Sequence, residues 1–155
     1  MLKTNVMRIL DQKNIKYKSY DYSNTNAING LEVANVLNED PNKVFKTIVT
    51  ISNTNNYYVF MLPVNKELDF KKCEIAVGEK SISMLKMANL LNLTGYIHGG
   101  CSPIGMKHNF KTIIDVEATK HESIFFSAGK VGYQIELTLD DLKKVVDFQI
   151  DTITI

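Results

Sequence analysis

"KVFKTIVTISNTNNYYVFMLPV", residues 43–64, sets two apolar, β-branched runs on either side of a short polar segment. Val44–Ile51 and Tyr57–Leu62 are rich in the residue types that favour strands, and "NTNN" (53–56) supplies turn chemistry between them. The stretch therefore predicts a β-hairpin, with strands over 43–52 and 57–64. Its first strand is apolar on both faces, as a buried central strand is. Lys46 interrupts it. An ammonium in such a place is costly without a partner or a route to solvent. It is either a functional group or an edge lysine that reaches outward along its stem.

Upstream of the hairpin, residues 2–13 carry Leu2, Val6, Ile9 and Leu10 on one side and predict an amphipathic helix. "YKSYDY" (17–22) reads as a short strand, with Tyr20 as a half-buried aromatic, and residues 27–37 as a second helix. Downstream, Asp69 is placed to cap a helix ending near Gly78. A strand at 81–85 and a helix at 86–92 follow, then strands near 110–116, 122–127 and 132–137. Thr138 with Asp141 predicts a capping box for a helix over 139–146, and "DFQIDTITI" (147–155) reads as a closing strand. The expected architecture is a mixed α/β (α+β) domain over 1–155, with hairpins and helices around a twisted sheet. Strand–helix alternation is too sparse for a doubly wound parallel fold.

Composition narrows the function classes. The chain has 155 residues, a formal net charge of +1 and a single arginine, Arg8. Gripping long nucleic acid by charge needs a basic group for each phosphate contact, so that class is disfavoured, whereas contact with a short nucleic-acid end is not. No run of about 18 apolar residues is present to span a membrane. The N-terminal stretch lacks the pattern of a secretory signal. Cys73 and Cys101 form neither a CxxC clip nor a disulfide framework, which predicts a reducing, cytoplasmic setting.

The unusual chemistry concentrates in "TGYIHGGCSPIGMKH" (94–108), with Gly95, Gly99, Gly100 and Gly105. Such a loop lets backbone approach a ligand closely, and its successive N–H groups suit an anion. Cys101 and His108 stand at C-x6-H, which fits no standard zinc clip, and His98 and distant His121 add no recognisable set. No metal and no cofactor is expected. Ser102 lacks the GxSxG context of a hydrolase elbow. Cys101 has no identifiable base, and Cys73 reads as helix packing. "SAGKVG" (127–132) is a second glycine turn, whose Ser127 and Lys130 are positioned to face the same ligand.

Taken together these segments resemble the YbaK family of aminoacyl-tRNA deacylases, within it the bacterial Cys-tRNA(Pro) deacylase type. The resemblance runs through "YKSYDY", "PNKVFKTIV", "LPVNKELDFKK", "TGYIHGGCSPIGMKH", "TIIDV", "FFSAGKVGYQIEL" and "DLKKVVD", over almost the whole chain. It implies a compact editing-domain fold around a mixed, partly barrel-like sheet. It implies cleavage in trans of the ester joining cysteine to proline tRNA, with the substrate's own thiol attacking the carbonyl. Alanyl- or seryl-tRNA as substrate, and a binding module for the tRNA end without turnover, are the alternatives. Lys46, Gly99 and Gly100 become the expected catalytic positions. Tyr20, Ser102, Ser127, Lys130 and Gln134 become the expected substrate contacts. The implied partners are the acceptor end of a mischarged tRNA and prolyl-tRNA synthetase. Gln134 stands where the family usually has an aspartate, and His98 where it usually has an apolar residue.

Overall fold

The computed structural model describes residues 2–155. The hairpin forms as expected: β2 (Phe45–Ser52) and β3 (Tyr57–Pro63) pair antiparallel, with Lys46 opposite Leu62 and Ile51 opposite Tyr57. Asn55, at φ 61°, turns the chain between them. This hairpin is the centre of a five-stranded mixed sheet. On one side β4 (Ile82–Met84) pairs antiparallel with the far end of β2. On the other, β5 (Lys111–Asp115) runs parallel to β3, and β8 (Phe148–Asp151) parallel to β5. A second, three-stranded antiparallel sheet has the order β1 (Lys18–Asp21), β7 (Tyr133–Leu137), β6 (Ile124–Ser127).

Among the described residues the two sheets are bridged backbone to backbone at one place. Val44 and Phe125 form an isolated parallel bridge, with the Phe125 N–H donating to the Lys43 carbonyl at 2.9 Å. Beyond it β2 and β6 diverge, so the sheets lean together without closing into a barrel.

Side-chain alternation sends one face of each sheet into a shared core. Phe45, Val49, Val59, Met61, Ile124, Phe126 and Ile135 meet there. Helix α1 (Asn5–Gln12) covers it with Val6, Met7 and Leu10, each at most 1% exposed. Thr4 caps this helix through Met7 N–H, so regular helix begins at Asn5 and not at residue 2. Phe60, Leu62, Ile82 and Ile113 form a second cluster under α3 (Phe70–Val77). Asp69 caps α3 by accepting from the N–H groups of Lys71 and Lys72, and Gly78 ends it at φ 74°.

Elsewhere the boundaries moved for local reasons. Helix α2 spans Gly30–Val36 because Asn29 and Glu32 make a reciprocal capping box there. Helix α4 spans Met87–Thr94 and ends at Gly95. Helix α5, expected over 139–146, stops at Leu139–Lys143. Thr138 accepts from Asp141 N–H, but the Asp141 carboxylate pairs with Lys144 instead of returning to the cap. The expected closing strand is interrupted after Asp151 and resumes as a bridge between Thr154 and Leu68. A 3-10 turn at Val116–Lys120, which the sequence reading did not contain, starts on the Asp115 carboxylate, acceptor for Glu117 N–H.

The turn between β6 and β7 carries a testable constraint. Gly132 sits at φ 98°, where a Cβ would lie 2.8 Å from the Ser23 Cα. Gly132→Ala is therefore expected to cost ~1–3 kcal/mol of unfolding free energy, read as a lowered urea midpoint.

Candidate functional site at the seam between the sheets

Where β2 and β6 part, a cavity of about 500 Å³ opens. Its size is that of a small-ligand site. The register across the seam shows how residues from distant segments come to face it. Carried two residues past the Val44–Phe125 bridge, the register sets Lys46 and Ser127 at facing positions across the gap. Ser127 pairs with Gln134, and Gln134 with Tyr20. The four positions form one transverse row, and cross-strand neighbours share a face. Phe45, Phe126 and Ile135, one residue out of phase, point to the core instead.

Of this row, Lys46, Ser127 and Gln134 line the cavity. The Lys46 side chain is 28% exposed, and its Nζ lies 3.8 Å from Glu67 Oε1. The strand is thus apolar around Lys46, while the lysine itself reaches the opening, where its charge keeps contact with water. Ser127 Oγ accepts from Gly129 N–H at 3.1 Å. Gln134 is buried, and its Oε1 has no hydrogen-bond partner. Tyr20 is in the row but not at the cavity. Its hydroxyl donates to Glu136 Oε1 at 2.7 Å and its ring packs on Phe125. Burial, with help from the Glu136 bond, pushes the Tyr20 phenol up to about 12. Tyr22, just past the end of β1, lines the cavity instead.

Backbone as well as side chains faces the gap. Val64 N–H donates to Val44 C=O on the β3 side, whereas Leu85 N–H donates to Val49 C=O on the other. By alternation the Phe45 carbonyl and Thr47 N–H point into the opening between β2 and β6. Thr47 Oγ1 is also buried and unpartnered. The hydroxyls of Thr50 and Thr112, in comparison, donate to the carbonyls of Tyr58 and Phe110. Both unpartnered atoms, on Thr47 and Gln134, belong to residues of this cavity.

The glycine stretch 94–108 divides into wall and scaffold. His98, Gly99 and Cys101 line the cavity. Gly99 adopts φ 85°, and a Cβ on Gly100 would lie 3.1 Å from Val131 N. The loop thus presses backbone to backbone on the 127–132 turn. Ser102 is fully buried outside the cavity lining, its Oγ accepting from Ile104 N–H, so the expected substrate contact is replaced by a turn bond. The Tyr96 hydroxyl donates to Ile104 C=O and ties the same loop. Lys130 does not line the cavity either; its Nζ lies over the Tyr133 ring. His108 lies in a separate groove, with Met106 and Phe110. Among the described residues no group of three or more His, Cys, Asp or Glu side chains has the arrangement of a metal site.

The sequence reading missed the mouth. Ile28, Leu31, Met84 and Met87 line the cavity and are each more than half exposed. Ile28 and Leu31 read as part of the apolar pattern of the second helix, whereas Ile28 precedes α2, Leu31 lies in its first turn, Met84 ends β4 and Met87 opens α4. Glu67 was likewise unmarked.

Cys101 lines the cavity as a thiol, since burial pushes it up to about 12. Burial does the same for Cys73 and Tyr96. In the unfolded chain a thiol titrates near about 8.5 and a phenol near about 10. These groups favour the fold while protonated in both states, and that contribution is lost as pH rises from about 9 towards 12. The urea midpoint is expected to fall steadily over this window, and Cys101→Ala to flatten the early part of the fall.

Comparison with known proteins agrees with this geometry. Residues 27–145 match the aminoacyl-tRNA editing domain. The chain is 40% identical over 153 residues to an Enterococcus faecalis protein named "Putative Cys-tRNA(Pro)/Cys-tRNA(Cys) deacylase EbsC", covering 98% of this chain and 93% of that one. It is 27% identical over 122 residues to the proline–tRNA ligase of Thermosipho melanesiensis, 77% of this chain but 20% of the ligase. In fold it superimposes on "a putative trans-editing enzyme for prolyl tRNA synthetase" with a TM-score of 0.83 at 17% identity, covering 100% of this chain and 99% of the other. The matched domain contains Lys46, both glycine turns and Gln134, and the chain belongs to the aminoacyl-tRNA editing domain family.

Proposed function

We propose that the protein deacylates mischarged Cys-tRNA(Pro) in trans, at the seam between its two sheets. The observation that carries this reading is the row Lys46–Ser127–Gln134 facing one cavity closed by a glycine loop. Lys46 supplies a cation for a phosphate or ribose oxygen near the 3′ end. Of the two glycines expected to act on the ester, Gly99 lines the cavity, whereas Gly100 does not and its N–H donates to Ile97 C=O at 3.0 Å. The Gly99 backbone is the part of the loop available to an ester oxygen that gains charge, and such groups act by preorganised electrostatics. The unpartnered Gln134 carbonyl is an acceptor for a donor on the aminoacyl group. The name of the Enterococcus relative supports cysteine as the amino acid. The match to part of a proline–tRNA ligase supports prolyl-tRNA synthetase as the partner that delivers the tRNA.

No side chain at the cavity is set up as a nucleophile. Cys101 is held as a neutral thiol, and the Ser127 hydroxyl is engaged as an acceptor with no base beside it. The substrate brings its own nucleophile. Its thiolate sulfur attacks the ester carbonyl, a C–S bond forms and the C–O bond to the tRNA breaks. The tRNA hydroxyl leaves with a proton from water, and water then opens the cysteine thiolactone. A free thiol is a few per cent ionised at neutral pH, so the protein's part is mainly positioning and charge stabilisation. Alanyl-tRNA has no such nucleophile, and a seryl hydroxyl has almost no ionised fraction.

The assay is deacylation of purified Cys-, Ser- and Ala-tRNA(Pro). Cysteinyl-tRNA is expected to turn over much faster than the others; equal rates would overturn the thiol mechanism, and no turnover would leave a binding module. Lys46→Met keeps the stem and removes the charge. It is expected to melt at the wild-type temperature and lose roughly 100-fold or more in kcat/KM. Cys101→Ala is expected to keep most of the activity, and its inactivation would make the enzyme's own thiol the nucleophile.

A further inference from the structure

Lys46 and Glu67 are the two formally charged side chains among the described residues that line the cavity, and they face each other at 3.8 Å. A carboxylate beside the one lysine expected to receive a polyanion opposes that binding. Its placement is nonetheless built in. The Glu67 carbonyl accepts from Ile155 N–H, Leu68 bridges Thr154, and Asp69 N–H donates to Ile153 C=O. With Lys66 N–H donating to Pro63 C=O on the other side, backbone contacts flank the residue and fix its Cα, while 79% of its side chain remains exposed. A pair this exposed is weak, because water screens it and both side chains lose freedom in holding it.

We propose that Glu67 is a displaceable counter-ion for Lys46, a positioning residue that holds the lysine at the mouth when the site is empty. The incoming tRNA end exchanges its own oxygen anion for the carboxylate, and the carboxylate recaptures the lysine as the deacylated end leaves. The inference rests on the deacylase reading for its ligand, and its chemistry is ion-pair exchange with no covalent step. A neutral mouth also disfavours retention of the product, an uncharged tRNA of which the cell holds an excess over mischarged molecules.

The test is a double-mutant cycle on binding. The probe is an uncharged acceptor-stem minihelix of proline tRNA ending in CCA, followed by fluorescence anisotropy. Glu67→Gln is expected to tighten binding roughly three- to fivefold at low salt, the scale of one solvent-exposed ion pair. The gain fades as salt rises to about 0.5 M, where screening shortens to a few ångströms. In a Lys46→Met background Glu67→Gln is expected to change nothing. Steady-state kinetics of Glu67→Gln should show a lower KM without a higher kcat. Equal tightening in both backgrounds would show a general surface-charge effect and overturn the exchange, as would no tightening in either. A protein that binds the minihelix with the expected coupling but leaves Cys-tRNA(Pro) intact would sink the deacylase reading alone. Failure to bind the minihelix at all would sink the exchange, while the deacylation assay decides the deacylase reading separately.

Discussion

One hydrogen-bonded bridge sets the position of everything else in the site. Phe125 N–H reaches the Lys43 carbonyl, and Val44 faces Phe125, and there the two sheets stop pairing. Had the ladder run on through Lys46 and Ser127, the lysine would lie within a continuous sheet and no cavity would exist. It stops because β2 turns its later residues to a different neighbour: Leu85 N–H takes the Val49 carbonyl, and Thr50–Ser52 pair with β4. A strand edge shared between two partners leaves a short unpaired interval. Backbone polar groups in that interval need partners, which makes it a natural place for a ligand.

This arrangement reconciles a nucleic-acid substrate with a chain of almost neutral charge. Nothing at the cavity resembles the basic surface of a protein that tracks a phosphate backbone. The mouth carries the apolar Ile28, Leu31, Met84 and Met87 beside the single Lys46–Glu67 pair, and the walls offer an amide carbonyl and the hydroxyls of Thr47 and Ser127. Such a site offers no basic track for the body of a tRNA. Affinity from this site alone is accordingly modest, and specificity resides in what fits past the mouth.

Local chemistry was legible in the sequence, and long-range pairing much less so. The hairpin at 43–64, the Asp69 cap and the Gly78 stop depend on neighbours a few residues away, and the structure has them where turn and cap preferences put them. The oddity of Lys46 was visible as a charge inside an apolar run. Which residues join it was not visible in the local pattern; Ser127 and Gln134 came from the resemblance alone, because the row through them arises from pairing of strands 80 or more residues distant. Tyr20 and Ser102 illustrate the limit. Both stand within segments that resemble the family, yet one turns to Glu136 and the other to Ile104 N–H. Resemblance located the segments; side-chain direction depended on packing. Thr47 and Glu67 gave no signal, since a strand threonine and a surface glutamate are ordinary until their neighbours are known.

The contact between Gly100 and the Val131 backbone, where a Cβ would lie a tight 3.1 Å from Val131 N, has a bearing on how such a site diversifies. Two loops held main chain to main chain form a wall whose shape is insensitive to side-chain identity elsewhere and intolerant of change at its own contact points. The mouth beside it also carries Leu31, Met84 and Met87, each more than half exposed, whose replacement disturbs little packing. Selection for a different aminoacyl group therefore has an inexpensive direction, through the lips, and a closed one, through the glycines. A lineage can change what it edits while the surface that meets the ester stays as it was.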